Sequence, residues 1–428
     1  MNSRGITGGQ SGSRVLIQAA SAVDSRGEIS PAGILLDGHR IVEMGPPESI
    51  GAVEDAVVVD ARSEVVLPGL VNAHAHLDLS GPGPWPYKGD FEQWLRAVIQ
   101  LRVSSSPQDV SQAVARGVAL SLAGGTYCVG DIAGMPHEPP MEVLDGSSLH
   151  GVSYAEFFGL GDAQDQTIAR MQSTLDHNRA RGSKVRLGLS PHAPYTCGDQ
   201  VMSAAAASGA PVAIHVAESQ AELAFLADGS GPFRSFAEML RTWNDGVVIP
   251  RQHPIDYTLG CLGERVGSNA HGILFVHLNY LEDRHLEPML AAGVTPVYCP
   301  RASSYFGYPH EGAHPYLKML EYGLPVALGT DSLLCLDTPD RISVLDEMRF
   351  LHRRDGTRAN QLIKMATTHG ARGLGLDEGV VDFTPGEIGG VLAVRSGADE
   401  SNFSGILSSD EPPRWILEPV KGVLGAGK

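Results

Sequence analysis

The chain has 428 residues, of which 43% are hydrophobic and 19% are charged, a composition that can bury a large core and that excludes disordered and fibrous proteins. Its 32 Lys and Arg residues against 49 Asp and Glu residues give a net charge of −17. That charge disfavours binding to nucleic acid and to anionic membranes, so a neutral or cationic small molecule is the favoured partner. The sequence leaves open whether the chain forms a homodimer.

Cysteine usage and hydropathy favour a cytoplasmic protein. The 5 cysteines are widely spaced and contain no C-x-x-C pair, which is typical of reduced thiols. The N-terminal residues are polar where a signal peptide needs an apolar run, and no stretch approaches the ~20 apolar residues that span a bilayer. We therefore expect a cytoplasmic location without a membrane anchor.

Both ends of the chain have the pattern of short β-strands. Residues 1–13 are rich in Gly and Ser and predict a flexible tail. Residues 14–67 alternate short apolar runs with Gly, Asp and Pro, which is typical of a small β-sheet. The run GGVLAV at 389–394 has the same character. We expect residues 381–428 to complete one small β-sandwich with residues 14–67 and to end in a C-terminal tail.

Between these ends, residues 68–380 alternate apolar strands with helical stretches, the pattern of βαβ units and a parallel sheet. Candidate strands that end in polar or ionisable residues lie at 70–77, 125–132, 151–158, 185–193, 211–218, 273–281, 294–300 and 325–331. They predict an α/β fold, a (β/α)8 TIM-type barrel whose chemistry lies at the C-terminal strand ends. The loop after the first strand and the segment at 229–270 are large enough to be lids or rim walls.

The first barrel strand carries an H-x-H pair, His74 and His76. Residues i and i+2 of a strand point to the same face, so the two imidazoles lie side by side at the strand end. Neutral imidazoles are good ligands for Zn²⁺ and Fe²⁺. The alternative is a polar histidine pair at the barrel mouth without a metal.

The fifth barrel strand ends in the segment His215-Val216-Ala217-Glu218. His215 is expected to face the barrel axis and to supply a third nitrogen ligand. Glu218 follows just past the strand, where a general base for a metal-activated water must lie without ligating the metal. The alternative is a strand-terminal histidine followed by a capping or surface glutamate.

The sixth and eighth strands end in His277 and Asp331. A carboxylate aimed at a barrel mouth meets no packing need, which favours a functional role for Asp331. Over one opening, His74, His76, His215 and Asp331 form a set of three nitrogens and one oxygen with room for water, as in an open catalytic site. The sequence therefore predicts one divalent cation, Zn²⁺ or, as the alternative, Fe²⁺.

The ordered motifs PGLVNAHAHLD, SPHAPYT, HVAES, VHLNYL and LGTDS resemble the amidohydrolase superfamily. They are most similar to its aminohydrolase and chlorohydrolase branch, which includes cytosine, guanine and S-adenosylhomocysteine deaminases and triazine chlorohydrolases. The resemblance extends over nearly the whole chain, because the N-terminal strands and the segments ATTHGARGLGL and TPGEIGG look like the two ends of that fold. It implies a hydrolase that acts on carbon–nitrogen bonds other than peptide bonds.

The resemblance implies a role for each matching residue. The metal ligands of the family match His74, His76, His215 and Asp331. Its proton-shuttling glutamate matches Glu218, and its histidine that positions water or substrate matches His277, so the implied catalytic residues are Glu218, His277 and Asp331. His192, in SPHAPY, matches a histidine that reaches the substrate from the fourth strand.

Three features depart from the family pattern. No Lys lies at a mid-barrel strand end to bridge two metals, which implies a single metal. The third strand ends in Glu156, which is a candidate to bind a substrate amine or ribose or, as in the amino-sugar deacetylase branch, to ligate a metal. Ser303 precedes Ser304 where the branch often has Ser-Asn, and we take Ser303 as a further candidate for substrate binding.

The segment after the first strand holds Glu92 and Trp94. Its aromatic residues can stack on a flat ring and a carboxylate nearby can bind ribose hydroxyls, as the resemblance to purine nucleoside deaminases implies, while the alternative for Trp94 is packing of the first barrel helix. We therefore predict an aminohydrolase that deaminates a heterocycle of the adenosine or a related aminopurine type through a metal-activated water. The alternatives are hydrolysis of a cyclic amide, an N-acetyl group or a halogenated heterocycle with the same metal site, and a metal-free barrel that acts as an interaction protein.

Overall fold

The computed structural model describes residues 14–51, 55–181, 185–263, 272–396 and 402–421. The expected N-terminal tail at 1–13, the last residues 422–428 and the part of the 229–270 segment from residue 264 onward lie outside these ranges. None of the helices within the ranges combines the length and the apolar character that crossing a bilayer requires.

Strands at both ends of the chain flank a central run of shorter strands. In chain order the strands are β1 (Arg14–Asp24), β2 (Gly27–Ile29), β3 (Ala32–Asp37), β4 (Arg40–Gly45), β5 (Val57–Pro68), β6 (Leu70–His76), β7 (Thr126–Ala133), β8 (His150–Phe157), β9 (Arg186–Pro191), β10 (Val212–Val216), β11 (Ile273–His277), β12 (Thr295–Tyr298), β13 (Ala327–Leu328), β14 (Asp331–Ser332), β15 (Gly386–Glu387), β16 (Val391–Arg395) and β17 (Arg414–Leu417).

The helices fill the connections between the barrel strands. They are α1 (Phe91–Ser104), α2 (Pro107–Ala123), α3 (Glu138–Gly146), α4 (Gln164–Arg181), α5 (Asp199–Ala207), α6 (Gln220–Asp228), α7 (Pro232–Met239), α8 (Pro254–Leu262), α9 (Leu286–Ala291), α10 (Pro300–Phe306), α11 (Tyr316–Tyr322), α12 (Val344–Asp355), α13 (Ala359–Met365), α14 (Thr368–Gly373) and α15 (Phe403–Ser408). Short 3-10 helices lie at Pro47–Ser49, Leu77–Leu79, Gly161–Ala163, Asp283–His285, Leu333–Cys335 and Glu378–Val381.

One sheet joins the two ends of the chain. Its order is β15-β4-β3-β1-β5-β16-β17, with β2 paired to β1. The C-terminal strand β16 runs antiparallel to β5, with Val391 opposite Pro68. Side chains of this sheet, among them Ile17, Ile34 and Val66, form their own apolar cluster. Residues far apart in sequence therefore bury one shared core, as the apolar runs at both chain ends predict.

The second sheet is the barrel, in the order β13-β12-β11-β10-β9-β8-β7-β6-β14 with every neighbouring pair parallel. Each of the eight predicted strand segments overlaps one of these strands, and the last overlaps both β13 and β14. The predicted TIM-type barrel with a second sheet from the chain ends is confirmed. Because all barrel strands run in one direction, their C-terminal ends meet at one rim.

The barrel closes through its split last strand. β13 pairs with β12 and β14 pairs with β6, and Gly329 and Thr330 separate the two halves. A Cβ atom on Gly329 would lie 2.8 Å from the Cβ of His74 and 2.9 Å from the Sγ of Cys299. Glycine at this position therefore lets the last strand approach the first strand closely enough to close the ring.

Candidate active site

Four imidazoles meet at the C-terminal rim of the barrel. His74 and His76 end β6, His215 lies near the end of β10, and His277 ends β11. The ring of His74 lies 4.9 Å from that of His76, 4.9 Å from that of His215 and 5.8 Å from that of His277, between centroids. All four side chains are buried. The alternating direction of strand side chains thus brings His74 and His76 together, as the H-x-H spacing predicts.

The nitrogen atoms of His74, His76 and His215 fit a divalent cation. One ring nitrogen from each lies within 4.8 Å of the others. Among the residues that the structure describes, neither buried ring nitrogen of His74 has a hydrogen-bond partner, a costly arrangement that a bound cation would relieve. The Nδ1 of His215 lies 2.9 Å from the carbonyl oxygen of His192. If Nδ1 donates there, the Nε2 lone pair of His215 stays free for a metal.

Asp331 joins this group from the split last strand. Its Oδ1 accepts a hydrogen bond of 2.7 Å from the Ser332 amide and lies 3.6 Å from the Nε2 of His76. Asp331 has a φ of 59°, an unusual conformation for a residue other than glycine, so the surrounding structure must hold it there. Burial raises the pKa of Asp331 to about 6 in the absence of a cation.

A buried amide secures the segment that carries Asp331. The side chain of Asn72, on β6, donates to the Thr330 hydroxyl at 2.8 Å and accepts from the Thr330 amide at 3.1 Å. The same amide lies 3.0 Å from the carbonyl oxygen of His74. These bonds tie the split strand to the strand that carries two of the histidines, so Asp331 and the H-x-H pair are held as one unit.

Glu218 lies beside His277 at the same rim. Its Oε1 is 3.7 Å from the Nε2 of His277, and both side chains are buried. Burial raises the pKa of Glu218 well above its ordinary value, and the charges of Asp331 and Glu222 raise it further. Burial also lowers the pKa of His277, which favours a neutral imidazole. The pair is thus a carboxyl group of high proton affinity next to a neutral histidine.

A buried ion cluster lies next to His76 at the same cavity. Arg102, on α1, donates to Glu156 at 2.6 Å through Nη1 and to Asp78 at 2.9 Å through Nε. Its Nη2 also lies 3.4 Å from the Nδ1 of His76. Burial raises the pKa of Glu156, but the charge and the hydrogen bond of Arg102, together with the nearby rings of His192 and His215, outweigh burial and the net shift is downward. Glu156 is therefore ionised, and its buried Oε1 has no hydrogen-bond partner within the described part of the chain.

The site opens into a cavity at the barrel rim. One wall is aromatic, because the ring of Phe306 meets Trp94 at 4.9 Å and Phe91 at 5.2 Å, both nearly edge-to-face. Tyr195 also lines the cavity and stacks on Phe233 of α7 at 3.9 Å. The segment after β10 therefore supports the rim wall through α7.

The structure brings most of the predicted site residues to this cavity. The residues that line it include His76, Trp94, Glu156, His192, His215, Glu218, His277 and Asp331. His74 lies behind them, against His76 and His215. Glu156, His192 and His215 also form a second group whose ligand atoms lie within 4.8 Å of one another.

Glu92 and Ser303 lie elsewhere. Glu92 forms an ion pair with Arg96, one helical turn along α1, and does not line the cavity. Ser303 is buried, and its hydroxyl donates to the side chain of Asn279 at 3.0 Å. Neither residue is among those that line the cavity, so their contact with a substrate stays a prediction.

Sequence reasoning missed Arg102 and Asp78, although α1 contains a signal for Arg102. Trp94, Val98 and Arg102 recur every four residues, the spacing that places side chains on one face of a helix. Asp78 follows the H-x-H strand within the quoted motif, but its role depends on Arg102 reaching back from a helix. No pattern within one strand could have revealed that contact.

Comparisons with known proteins agree with this geometry. Residues 65–412 match the model of the amidohydrolase family. The chain is 28% identical, over 369 residues, to an aminodeoxyfutalosine deaminase of Deinococcus radiodurans, and the match covers 82% of each chain.

Solved structures show the same fold. An aminofutalosine deaminase of Helicobacter pylori, in complex with methylthio-coformycin, superposes with a TM-score of 0.77 at 20% identity and covers 94% of this chain and 98% of its own. An adenosine deaminase of Xanthomonas campestris with bound zinc gives a TM-score of 0.73 at 19% identity, with 95% and 92% covered. At these identities the structures establish the common architecture.

Proposed function

The chain belongs to the amidohydrolase family, and on that basis we propose that it is a metal-dependent aminohydrolase that deaminates an adenosine-type or related aminopurine small molecule. The observation that carries the proposal is the buried Glu218 beside His277, at the rim where three histidines and Asp331 converge. The similarity to aminodeoxyfutalosine deaminase, which the chain matches over 82% of its length, supports an amine on a purine as the leaving group.

The metal ligands in this proposal are His74, His76, His215 and Asp331. The unpartnered ring nitrogens of His74 support this choice, and the zinc in the Xanthomonas deaminase supports Zn²⁺, with Fe²⁺ as the alternative. The bound cation supplies Lewis acidity, which makes water nucleophilic near neutral pH. We expect one metal per chain, because Arg102 already neutralises the nearby carboxylate of Glu156.

Glu218 moves the protons in the proposed reaction. Its carboxylate accepts a proton from the attacking water and returns it to the ring nitrogen next to the amine-bearing carbon. The water oxygen bonds to that carbon, its second proton passes to the amine, the carbon–nitrogen bond to the amine breaks, and ammonia leaves. His277 and Asp331 orient the water by hydrogen bonds. Burial raises the pKa of Glu218, which makes its carboxylate a stronger proton acceptor than an exposed one.

The aromatic wall and the ion cluster bind different parts of the proposed substrate. The rings of Trp94, Phe91 and Phe306 offer a surface for a flat base. Glu156 and His192 offer polar atoms on the opposite side, and the free Oε1 of Glu156 is an acceptor for a ribose hydroxyl or a ring N–H. This role falls to Glu156 in place of Glu92, which pairs with Arg96.

A substrate screen tests the proposal. The metal-loaded enzyme is mixed with adenosine-type, guanine-type, cytosine-type and triazine compounds, and ammonia release and ultraviolet absorbance are followed. We expect the highest kcat/KM for an adenosine-type compound. Preference for a triazine with loss of halide, for a cyclic amide or for an N-acetyl compound would replace the deaminase assignment with another hydrolase of the same family.

A further inference from the structure

The turn that carries Glu218 is held in a strained backbone conformation. Ala217, just before it, has a φ of 52°, which costs a residue with a Cβ atom about 1 kcal/mol or more. The Glu218 carboxylate accepts no hydrogen bond from any residue in the described ranges, and its Oε1 lies 3.7 Å from the Nε2 of His277. Its position therefore depends on what holds the backbone of the turn.

Glu222 holds this turn from one side. Its carboxylate accepts the Ala217 amide at 3.0 Å through Oε1 and the Glu218 amide at 2.8 Å through Oε2. The Glu222 side chain is fully buried. Each oxygen thus satisfies one buried N–H group that the strained turn would otherwise leave unpaired.

These bonds differ from ordinary capping of α6. Ser219 is the N-cap of that helix, and its hydroxyl accepts the amide of Glu222 at 3.3 Å. In a capping box the carboxylate at this position would return to the amide of the N-cap residue. Here it bonds the two residues that precede Ser219. Glu222 therefore stabilises the turn that carries Glu218 rather than the first turn of the helix.

Asn279 holds the turn from the other side. Its side-chain amide donates to the carbonyl oxygen of Glu218 at 2.9 Å, and its own oxygen accepts from the Ser303 hydroxyl at 3.0 Å. The amide of Tyr280 lies 3.3 Å from the carbonyl oxygen of Ala217. Because Asn279 follows His277 by two residues, it ties the segment that bears His277 to the turn that bears Glu218.

We propose that Glu222 and Asn279 are positioning residues, which clamp the Ala217–Glu218 backbone and so keep the Glu218 carboxylate beside His277 for proton transfer. The role of Glu218 in that transfer rests on the proposed function. A carboxylate displaced by about 1 Å transfers protons far more slowly, although substrate binding to the aromatic wall and metal binding to the histidines stay the same. The clamp therefore acts on the rate of the chemical step.

Two nearly isosteric variants test the clamp. Glu222→Gln replaces one acceptor with a donor that faces an amide N–H, and Asn279→Asp removes the donor to the Glu218 carbonyl. We expect each to lower kcat about tenfold to a hundredfold, with KM within about threefold and metal content unchanged. The double variant should lose little more than the worse single variant, because both act on one peptide segment. Glu287→Gln, at an exposed position in the first turn of α9, is the matched control and should keep the wild-type kcat.

Hydrogen exchange measures the clamp without any substrate. In peptides that cover residues 216–223, deuterium uptake should be faster in Glu222→Gln and Asn279→Asp than in the wild type or in Glu287→Gln. Unchanged uptake together with wild-type kcat in both variants would overturn the clamp, as would loss of metal in both. If one variant fails to fold, the other and Ser303→Ala, which removes the support of Asn279, still decide the question. A wild-type enzyme that deaminates no compound in the screen would refute the proposed function, and hydrogen exchange would still test the clamp.

Discussion

The two sides of the cavity are built in different ways. On the metal side, which comprises His74, His76, His215, His277 and Asp331, every side chain comes from the end of a barrel strand. On the substrate side, which comprises Trp94, Arg102, Glu156 and His192, the residues come from a helix, a strand end and a turn. The metal side is thus determined by strand register, whereas the substrate side depends on how α1 packs over the rim.

The difference explains why the positions of the metal-side residues can be predicted from the sequence and those of the substrate-side residues cannot. In a parallel barrel, neighbouring strands fix both the height and the direction of a strand-end side chain, so a short motif specifies its position. A helix that crosses the rim has several faces, and packing selects the one that faces the cavity. Variants on the metal side should therefore abolish function, and those on the substrate side should change affinity or stability by smaller amounts.

The largest effect is expected from His74→Ala. No hydrogen-bond partner in the described ranges satisfies the ring of His74, so removal of this ring should release the cation and lower turnover by about 10³ or more. Elemental analysis and kcat check this outcome, and His177→Ala, at an exposed site on α4, serves as the control. Full metal content in His74→Ala would show that the metal side is assigned incorrectly.

The next effect separates the proposed base, Glu218, from the proposed ligands on the metal side. Glu218→Gln should keep its metal and lose turnover by about 10² or more, because the amide cannot carry the proton between water and ring nitrogen. Metal content and kcat are measured on the same sample. Release of the metal by a folded Glu218→Gln variant would make Glu218 a ligand and would remove the distinction between the two roles.

On the substrate side, Arg102→Met should reduce stability more than affinity. It leaves the buried carboxylates of Asp78 and Glu156 without their counter-charge. Because the arginine side chain keeps 20% of its surface exposed, we expect a loss of about 2 kcal/mol in the free energy of unfolding, below the range for fully buried pairs. Denaturant unfolding measures it. Arg96→Met, on the exposed side of α1, should change that free energy by less than about 0.5 kcal/mol, and equal losses would argue against the ion cluster.

The smallest effect comes from a matched pair of glutamates. Glu156→Gln should raise KM for the best substrate about tenfold, about 1.4 kcal/mol, while Glu92→Gln should leave KM within about twofold. The reason is that Glu156 lines the cavity and Glu92 pairs with Arg96. Steady-state kinetics decides between them. If neither variant changes KM, binding of ribose by a carboxylate fails, and a compact heterocycle becomes the better substrate.

The residues of the metal side were predictable because their geometry is local. His74 and His76 share a face through a two-residue period, and polar residues at the ends of parallel strands meet at one rim. The position of Glu218 just past a strand end predicted a general base there, and family resemblance added the role of His277. The barrel and the sheet from the chain ends followed from apolar runs of strand length. In each case the physical cause acts within a few residues, so the sequence alone was sufficient.

The contacts of the remaining site residues follow from tertiary packing and could not be predicted from the sequence. Glu92 and Trp94 were grouped on one segment, but α1 begins at Phe91, and two residues apart on a helix means nearly opposite faces. Trp94 therefore faces the cavity and Glu92 pairs with Arg96. The contacts of Arg102 with Glu156, and of Glu222 with the Glu218 turn, have the same origin. These contacts depend on how separate elements pack together, and no periodicity within one element specifies which residues of two elements meet.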